Sequence, residues 1–122
     1  MENLKIASTN STPEIDFRPN GELFMTGVTY PEDAFKFYEP VSKWLKDFKN
    51  SLPKNKIVLN IELDYVNTAS LRILIDLINT VNSYKATNEV EMFWKYEDED
   101  NLEFGHDVER ITNSKFNFVA IG

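Results

Sequence analysis

Asn67, Thr68 and Ser70 set one amide and two hydroxyls within four positions of each other. They follow an apolar strand, Ile57 to Leu63, and the short link Asp64-Tyr65-Val66, and they precede a long apolar-striped helix. At the mouth of a helix, free backbone N–H groups and the positive end of the dipole favour an oxyanion or a phosphate. Two readings of the trio fit. Ser, Thr and Asn are preferred N-caps, each worth about 1 kcal/mol, and a helix starting here needs one. One cap is enough, however, and the corner lies at the carboxyl end of what reads as an inner strand, where open α/β sheets place ligands. The second reading is therefore a modified or ligand-binding corner. A phosphate on Thr68 would add roughly −1.5 to −2 units of charge and three acceptor oxygens. Against a formal net charge of −7, that change acts locally, on whatever docks at the corner. Pressed against an acidic or apolar partner it costs several kcal/mol, and about 2.8 kcal/mol already means a hundredfold loss of affinity.

No other cluster competes. The chain has no cysteine, which removes zinc-thiolate sites, thiol catalysis and disulfides. Glu97-Asp98-Glu99-Asp100, with Glu103, Asp107 and Glu109, offers oxygen ligands to a hard cation. It lacks the alternating Asp/Asn pattern and central glycine of an EF-hand loop, so it reads as a solvated acidic face or as a docking surface for a basic partner. His106 is the single histidine and reads as a surface or capping residue. A triad of Ser70, His106 and Asp107 is rejected, because nothing supplies the glycine-flanked nucleophile turn of such hydrolases.

The elements that would hold the corner follow from periodicity. At 122 residues, with 42% hydrophobic and 13% aromatic residues, the chain suits a single domain over 1–122 with a packed core. Its −7 charge and scattered lysines (Lys43, Lys46, Lys49, Lys54 and Lys56) exclude a general nucleic-acid binder. No apolar run approaches a membrane span, and Met1 to Lys5 lack a signal-peptide core, so the expectation is a cytoplasmic protein without membrane attachment. Leu4 and Ile6 open a short strand, Thr9 to Pro13 turn, and Ile15 and Phe17 form a second strand. Pro19-Asn20-Gly21 turns into Leu23-Phe24-Met25, giving an N-terminal hairpin. A helix starts near Pro31-Glu32-Asp33, with proline at its first position. Phe35, Tyr38, Val41, Leu45 and Phe48 mark its buried stripe, and Pro40 kinks it or splits it in two. Phe37 points away from that stripe, either as an exposed anchor for a partner or buried against the hairpin. Leu71, Leu74, Ile75, Ile78 and Val81 stripe a helix running to about Lys85. Val90, Met92, Trp94 and Tyr96 line a strand, Glu97 to Glu109 form a polar loop and a short helix, and Phe116, Phe118 and Ala120 close the chain as a strand. Strands joined through helices call for right-handed parallel crossovers, and the outcome is an α/β fold with a mixed sheet and helices mainly on one face.

Several blocks carry a resemblance. Gly27-Val28-Thr29-Tyr30-Pro31-Glu32-Asp33, Phe37-Tyr38-Glu39-Pro40-Val41, Trp44-Leu45, Leu63 to Ser70, Trp94 to Asp100 and Phe104-Gly105-His106-Asp107 together resemble the bacterial SiaC-like regulatory phosphoproteins. The blocks occur in order from about residue 13 to the C-terminus, which is more specific than any single motif. The resemblance implies a STAS-like fold, as in anti-sigma-factor antagonists. It implies a dedicated Ser/Thr protein kinase that phosphorylates the threonine of the Asn-Thr-x-Ser block, and a PP2C-like phosphatase that reverses it. It further implies a diguanylate cyclase that the unphosphorylated form binds and activates, linking the switch to cyclic-di-GMP and biofilm behaviour. Carried over, Thr68 is the phosphoacceptor and Ser70 the fallback, with Asn67 shaping the corner. The family pattern favours a hydroxyl residue where this chain has Ala69, and alanine cannot accept phosphate. No cofactor is expected on this chain, since nucleotide and magnesium would belong to the kinase. Two other readings stay open: an antagonist of the same chemistry that binds an anti-sigma factor, and a small acidic metal-binding domain.

Overall fold

The computed structural model describes all residues, Met1–Gly122. Three strands open the chain as an antiparallel meander: β1 (Leu4–Ile6), β2 (Glu14–Phe17) and β3 (Glu22–Thr29). Then α1 (Ala34–Lys49), β4 (Ile57–Val66), α2 (Thr68–Ser83), β5 (Val90–Tyr96), α3 (Glu99–Thr112) and β6 (Asn117–Ala120) alternate, with a 3-10 turn at Tyr84–Ala86 after α2. The pairs β3–β4, β4–β5 and β5–β6 are all parallel. The result is one six-stranded sheet in strict chain order, β1-β2-β3-β4-β5-β6. Right-handed crossovers that always step in the same direction deposit every helix on the same side, as the sequence leads one to expect.

Register shows which side that is. Leu4, Phe17, Leu23, Leu59 and Met92 form one cross-strand row, and Ile6, Ile15, Met25, Ile61, Trp94 and Phe118 form the next. Phe17, Leu23, Leu59, Met92, Ile15, Met25, Ile61 and Trp94 of these rows are buried. The intervening row of Lys5, Asp16, Phe24, Asn60, Phe93 and Asn117 faces the other way, and none of its members is buried.

Helix α1 departs from the expected phase. It begins at Ala34, not at Pro31, because the Asp33 side chain caps it by accepting from the Lys36 amide at 3.0 Å. Its buried arc is Ala34, Tyr38, Val41, Trp44, Leu45 and Phe48, with Phe37 half-buried against the core. Phe35 lies roughly 120° from the middle of that arc and is 76% exposed. The two phenylalanines thus exchange roles: Phe37 packs edge-on against Tyr38 with ring centroids 4.8 Å apart, and Phe35 stands in solvent. Pro40 does not divide the helix. It sits on the exposed side, where water can satisfy the carbonyl it leaves without a donor.

The acidic stretch also differs from expectation. Instead of a loop and a short helix, Glu99–Thr112 forms one 14-residue helix capped by Asp98, which accepts from the Asn101 amide at 2.8 Å. Glu99 and Asp100 occupy its first turn, where carboxylates are stabilised by the dipole. Gly105 lets this helix lie on the sheet, since a Cβ there would fall 2.6 Å from the Trp94 indole nitrogen. Trp94 Nε1 donates to Asn101 Oδ1 at 2.9 Å, and Asn101 Nδ2 donates to the Leu63 carbonyl at 2.7 Å. Asn101 therefore occupies the place where β4 and β5 stop pairing beyond Ile61 and Trp94.

Candidate functional site

The Asn67–Ser70 corner forms where β4 ends and α2 begins. The register between β3 and β4 shifts after Gly27, so that Leu63 faces Gly27, Tyr65 faces Val28 and Val66 faces Thr29, leaving Asp64 as the extra residue. Gly27 takes φ +125° there, a conformation open to glycine but strained for other residues. The shift turns Tyr65 outward and brings Val66 back toward the core. The Asn67 amide then donates to the Thr29 carbonyl at 2.9 Å, pinning the start of α2 to the end of β3.

The three polar residues divide the work. Asn67 is the N-cap: its Oδ1 accepts from the Ser70 amide at 2.9 Å. Ser70 is completely buried, and its Oγ accepts from Thr29 Oγ1 at 2.8 Å. Thr29 Oγ1 also lies 2.7 Å from Tyr38 Oη. A hydroxyl has one proton, so with Thr29 donating to Ser70 the tyrosine donates to Thr29. Burial pushes the Tyr38 phenol up to about 12, only partly offset by its bond to Thr29, so it keeps that proton at neutral pH. Ser70 is thus unavailable to a kinase, and its role as a fallback phosphoacceptor is corrected: its hydroxyl belongs to a sealed chain, Tyr38 to Thr29 to Ser70, that ties α1, β3 and α2 together. Thr68, by contrast, is exposed as the first residue of α2. With the cap supplied by Asn67, its hydroxyl enters no hydrogen bond, and the Thr68 and Ala69 amides remain the free donors of the first turn.

Thr68 opens onto a shallow hollow of about 610 Å³, shared with Glu32, Asp33, Phe35, Ala69, Arg72 and Ile73. A second hollow of about 470 Å³ continues along the groove between α1 and α2, toward Lys43 and Lys46. Phe35, Arg72 and Ile73 line both and form the saddle between them. On the far side of the corner, Tyr30 and Tyr65 are 44% and 55% exposed, their rings edge-to-face at 5.8 Å.

The sequence left Phe37 as either an exposed partner anchor or a residue buried against the hairpin; the structure half-buries it against the core, and the exposed aromatics around the corner are Phe35, Tyr30 and Tyr65. Each of the three stands next to a chain corner, at Tyr30-Pro31, at Asp33-Ala34-Phe35 and at Tyr65-Val66-Asn67, which was the available signal. The sheet also lacks the reversal of strand order that creates a ligand crevice, so the corner's exposure, not its place in the sheet, commends it. No three His, Asp or Glu side chains converge where an ion could sit. His106 instead packs against Phe118, with ring centroids 4.2 Å apart and planes tilted by 39°. No helix is long and apolar enough to cross a membrane.

Comparison with known proteins adds to this geometry. The family described as SiaC family regulatory phosphoprotein matches residues 6–121. An uncharacterised protein of Pseudomonas aeruginosa (strain UCBPP-PA14) is 29% identical over 100 residues, covering 80% of this chain and 78% of its own. The solved structure of SiaC from Pseudomonas aeruginosa is 26% identical and matches 99% of this chain and 100% of its own with a TM-score of 0.85. SiaC solved in complex with the diguanylate cyclase SiaD, as its activator, matches with a TM-score of 0.83 at 26% identity, over 96% of this chain and 97% of that one.

Proposed function

This chain belongs to the SiaC family of regulatory phosphoproteins, and on that premise we propose that it is a non-catalytic partner-switching domain controlled at Thr68. A Ser/Thr kinase phosphorylates Thr68, a PP2C-like phosphatase restores it, and the bare form binds and activates a diguanylate cyclase in the cytoplasm. The observation that carries the reading is the division of labour at the corner. Asn67 caps the helix and Ser70 is sealed, so Thr68 is the one hydroxyl of the trio that is both accessible and free of a structural duty. A phosphate there would sit at the positive end of α2, on the lip of the α1–α2 groove. The cyclase is favoured over an anti-sigma factor because SiaC of Pseudomonas aeruginosa has been solved with a cyclase it activates.

Incubation with the cognate kinase and ATP, followed by mass spectrometry, tests the reading. The expected product carries one phosphate on Thr68 and none in Thr68→Ala. Thr68→Asp is expected to weaken binding of the cognate cyclase at least tenfold while Thr68→Ala binds normally. Phosphate found elsewhere, or equal binding by the two variants, would remove the switch from this residue.

A further inference from the structure

Thr68 and Ala69 hang between two anchors, Asn67 and Ser70, and both anchors are fastened to one residue, Thr29. The Thr29 carbonyl accepts from the Asn67 amide at 2.9 Å, and Thr29 Oγ1 donates to Ser70 Oγ at 2.8 Å. Asn67 closes the ring from within: its Oδ1 accepts from the Ser70 amide and its carbonyl from the Leu71 amide, each at 2.9 Å. Thr29 and Ser70 are fully buried, while Thr68 and Ala69 between the grips are exposed. No water competes for a hydroxyl pair sealed in this way, and removing one partner leaves the other buried and unmet. Thr29 has its own supports. Tyr38 Oη lies 2.7 Å from Thr29 Oγ1 and donates to it. The shifted register at Gly27 sets Thr29 opposite Val66, so the next amide in the chain, that of Asn67, meets the Thr29 carbonyl.

The two grips also fix the backbone between them. From Asn67 to Ser70 a helix rises about 4.5 Å, whereas the same three steps drawn out as a strand span roughly 10 Å. An extended Thr68 therefore cannot keep both bonds to one threonine. Building on the reading of Thr68 as the phosphoacceptor, we propose that Thr29 is its positioning residue. Thr29 touches neither phosphate nor nucleotide. It holds Thr68 as the first residue of a helix, and in that form the kinase receives it. Loss of the Thr29 hydroxyl frees the Ser70 end, and the first turn of α2 then opens locally while the sheet stays closed. A kinase that needs the helical corner finds a smaller fraction of the chain competent, which weakens its apparent affinity by that fraction. The complex, once formed, turns over as before.

Three variants test this. Thr29→Val keeps the carbonyl and the branched shape and removes the hydroxyl; Thr29→Ser keeps the hydroxyl. Phe17→Leu destabilises from the far end of the sheet, where Phe17 pairs with Leu23, six residues before Thr29 in β3. Hydrogen exchange followed by NMR reads the clamp without any kinase. In Thr29→Val the Asn67, Ser70 and Leu71 amides are expected to exchange at least tenfold faster, and in the other two variants they stay within threefold of the parent protein. With the cognate kinase, Thr29→Val should raise KM at least fivefold with kcat within twofold, while Thr29→Ser and Phe17→Leu keep both within threefold. Ser70→Ala removes the same bond from the other side. It serves where Thr29→Val does not fold, and is expected to repeat both effects with Thr68 still labelled. Unchanged exchange at the three amides, an equal effect of Phe17→Leu, or a loss confined to kcat overturns the positioning role. Parent protein that takes no phosphate at Thr68 overturns the phosphoacceptor reading, and the proposal with it, even where exchange reveals the clamp.

Discussion

At the scale of single residues, the corner shows how one position is freed for regulation by its neighbours' commitments. Asn67 spends its side chain on the Ser70 amide, and Ser70 spends its own on Thr29. Thr68 is left exposed with its hydroxyl unengaged. The same allocation makes Ser70 a test of structure, not of signalling. Ser70→Ala would leave the buried Thr29 hydroxyl without its acceptor, at a cost of about 1–3 kcal/mol, yet kinase labelling of Thr68 should persist. Urea denaturation and mass spectrometry on one preparation check both halves. A stable variant that no longer takes phosphate would mean that the roles of these two hydroxyls are reversed.

Among the elements, α3 and its glycine make the sharpest prediction. Gly105 is the contact point with the fully buried Trp94, so Gly105→Ala should overpack that contact and destabilise by roughly 1–3 kcal/mol, although alanine is the better helix former. A denaturation midpoint equal to or above that of the parent protein would show that α3 can lift without penalty. Elements were also where the sequence was most legible, and where its limits show physically. The strand at Ile57 was legible because alternation of Ile57, Leu59, Ile61 and Leu63 is a direct image of one buried face, although it runs on through Asp64-Tyr65-Val66, expected as a link. The parallel, one-sided arrangement followed from connection handedness. Helix phase was harder. Phe35 and Phe37 flank the stripe of Tyr38, Val41, Leu45 and Phe48 on opposite sides, and buried Trp44 extends that stripe toward Phe37, a choice that spacing from Tyr38 alone does not make. The acidic stretch misled because carboxylates suit a solvated loop and a helix's first turn equally. At the site, Asn67 as cap was readable from its type, but Ser70's burial was not. It depends on Thr29 and Tyr38, 41 and 32 positions away in the chain, and nothing local announces them.

For the molecule as a whole, two buried phenols set its alkaline limit. Burial pushes both Tyr38 and Tyr84 up to about 12, from an ordinary value near ~10. Tyr38 donates into the sealed hydroxyl chain, and Tyr84 donates to the Leu45 carbonyl at 3.0 Å. The native state holds these protons more tightly than the unfolded chain does. Their stabilisation is therefore intact below about pH 10 and is lost as pH rises from about 10 to about 12. Denaturant titrations across that window should show stability falling, with a shallower slope in Tyr38→Phe. A flat profile in the parent protein would contradict the raised phenols.

The strict order of the six strands bears on how such a chain comes off the ribosome. Every strand lies down beside the one made just before it, so the growing sheet always presents a finished edge to the next segment. Loop closures stay short, which keeps their entropic cost low. The bond from the Trp44 indole to the Glu2 carbonyl reaches back across the meander, as a late clasp on the first strand. A nascent polypeptide of this topology can consolidate vectorially, exposing little unpaired strand to its crowded surroundings while translation continues.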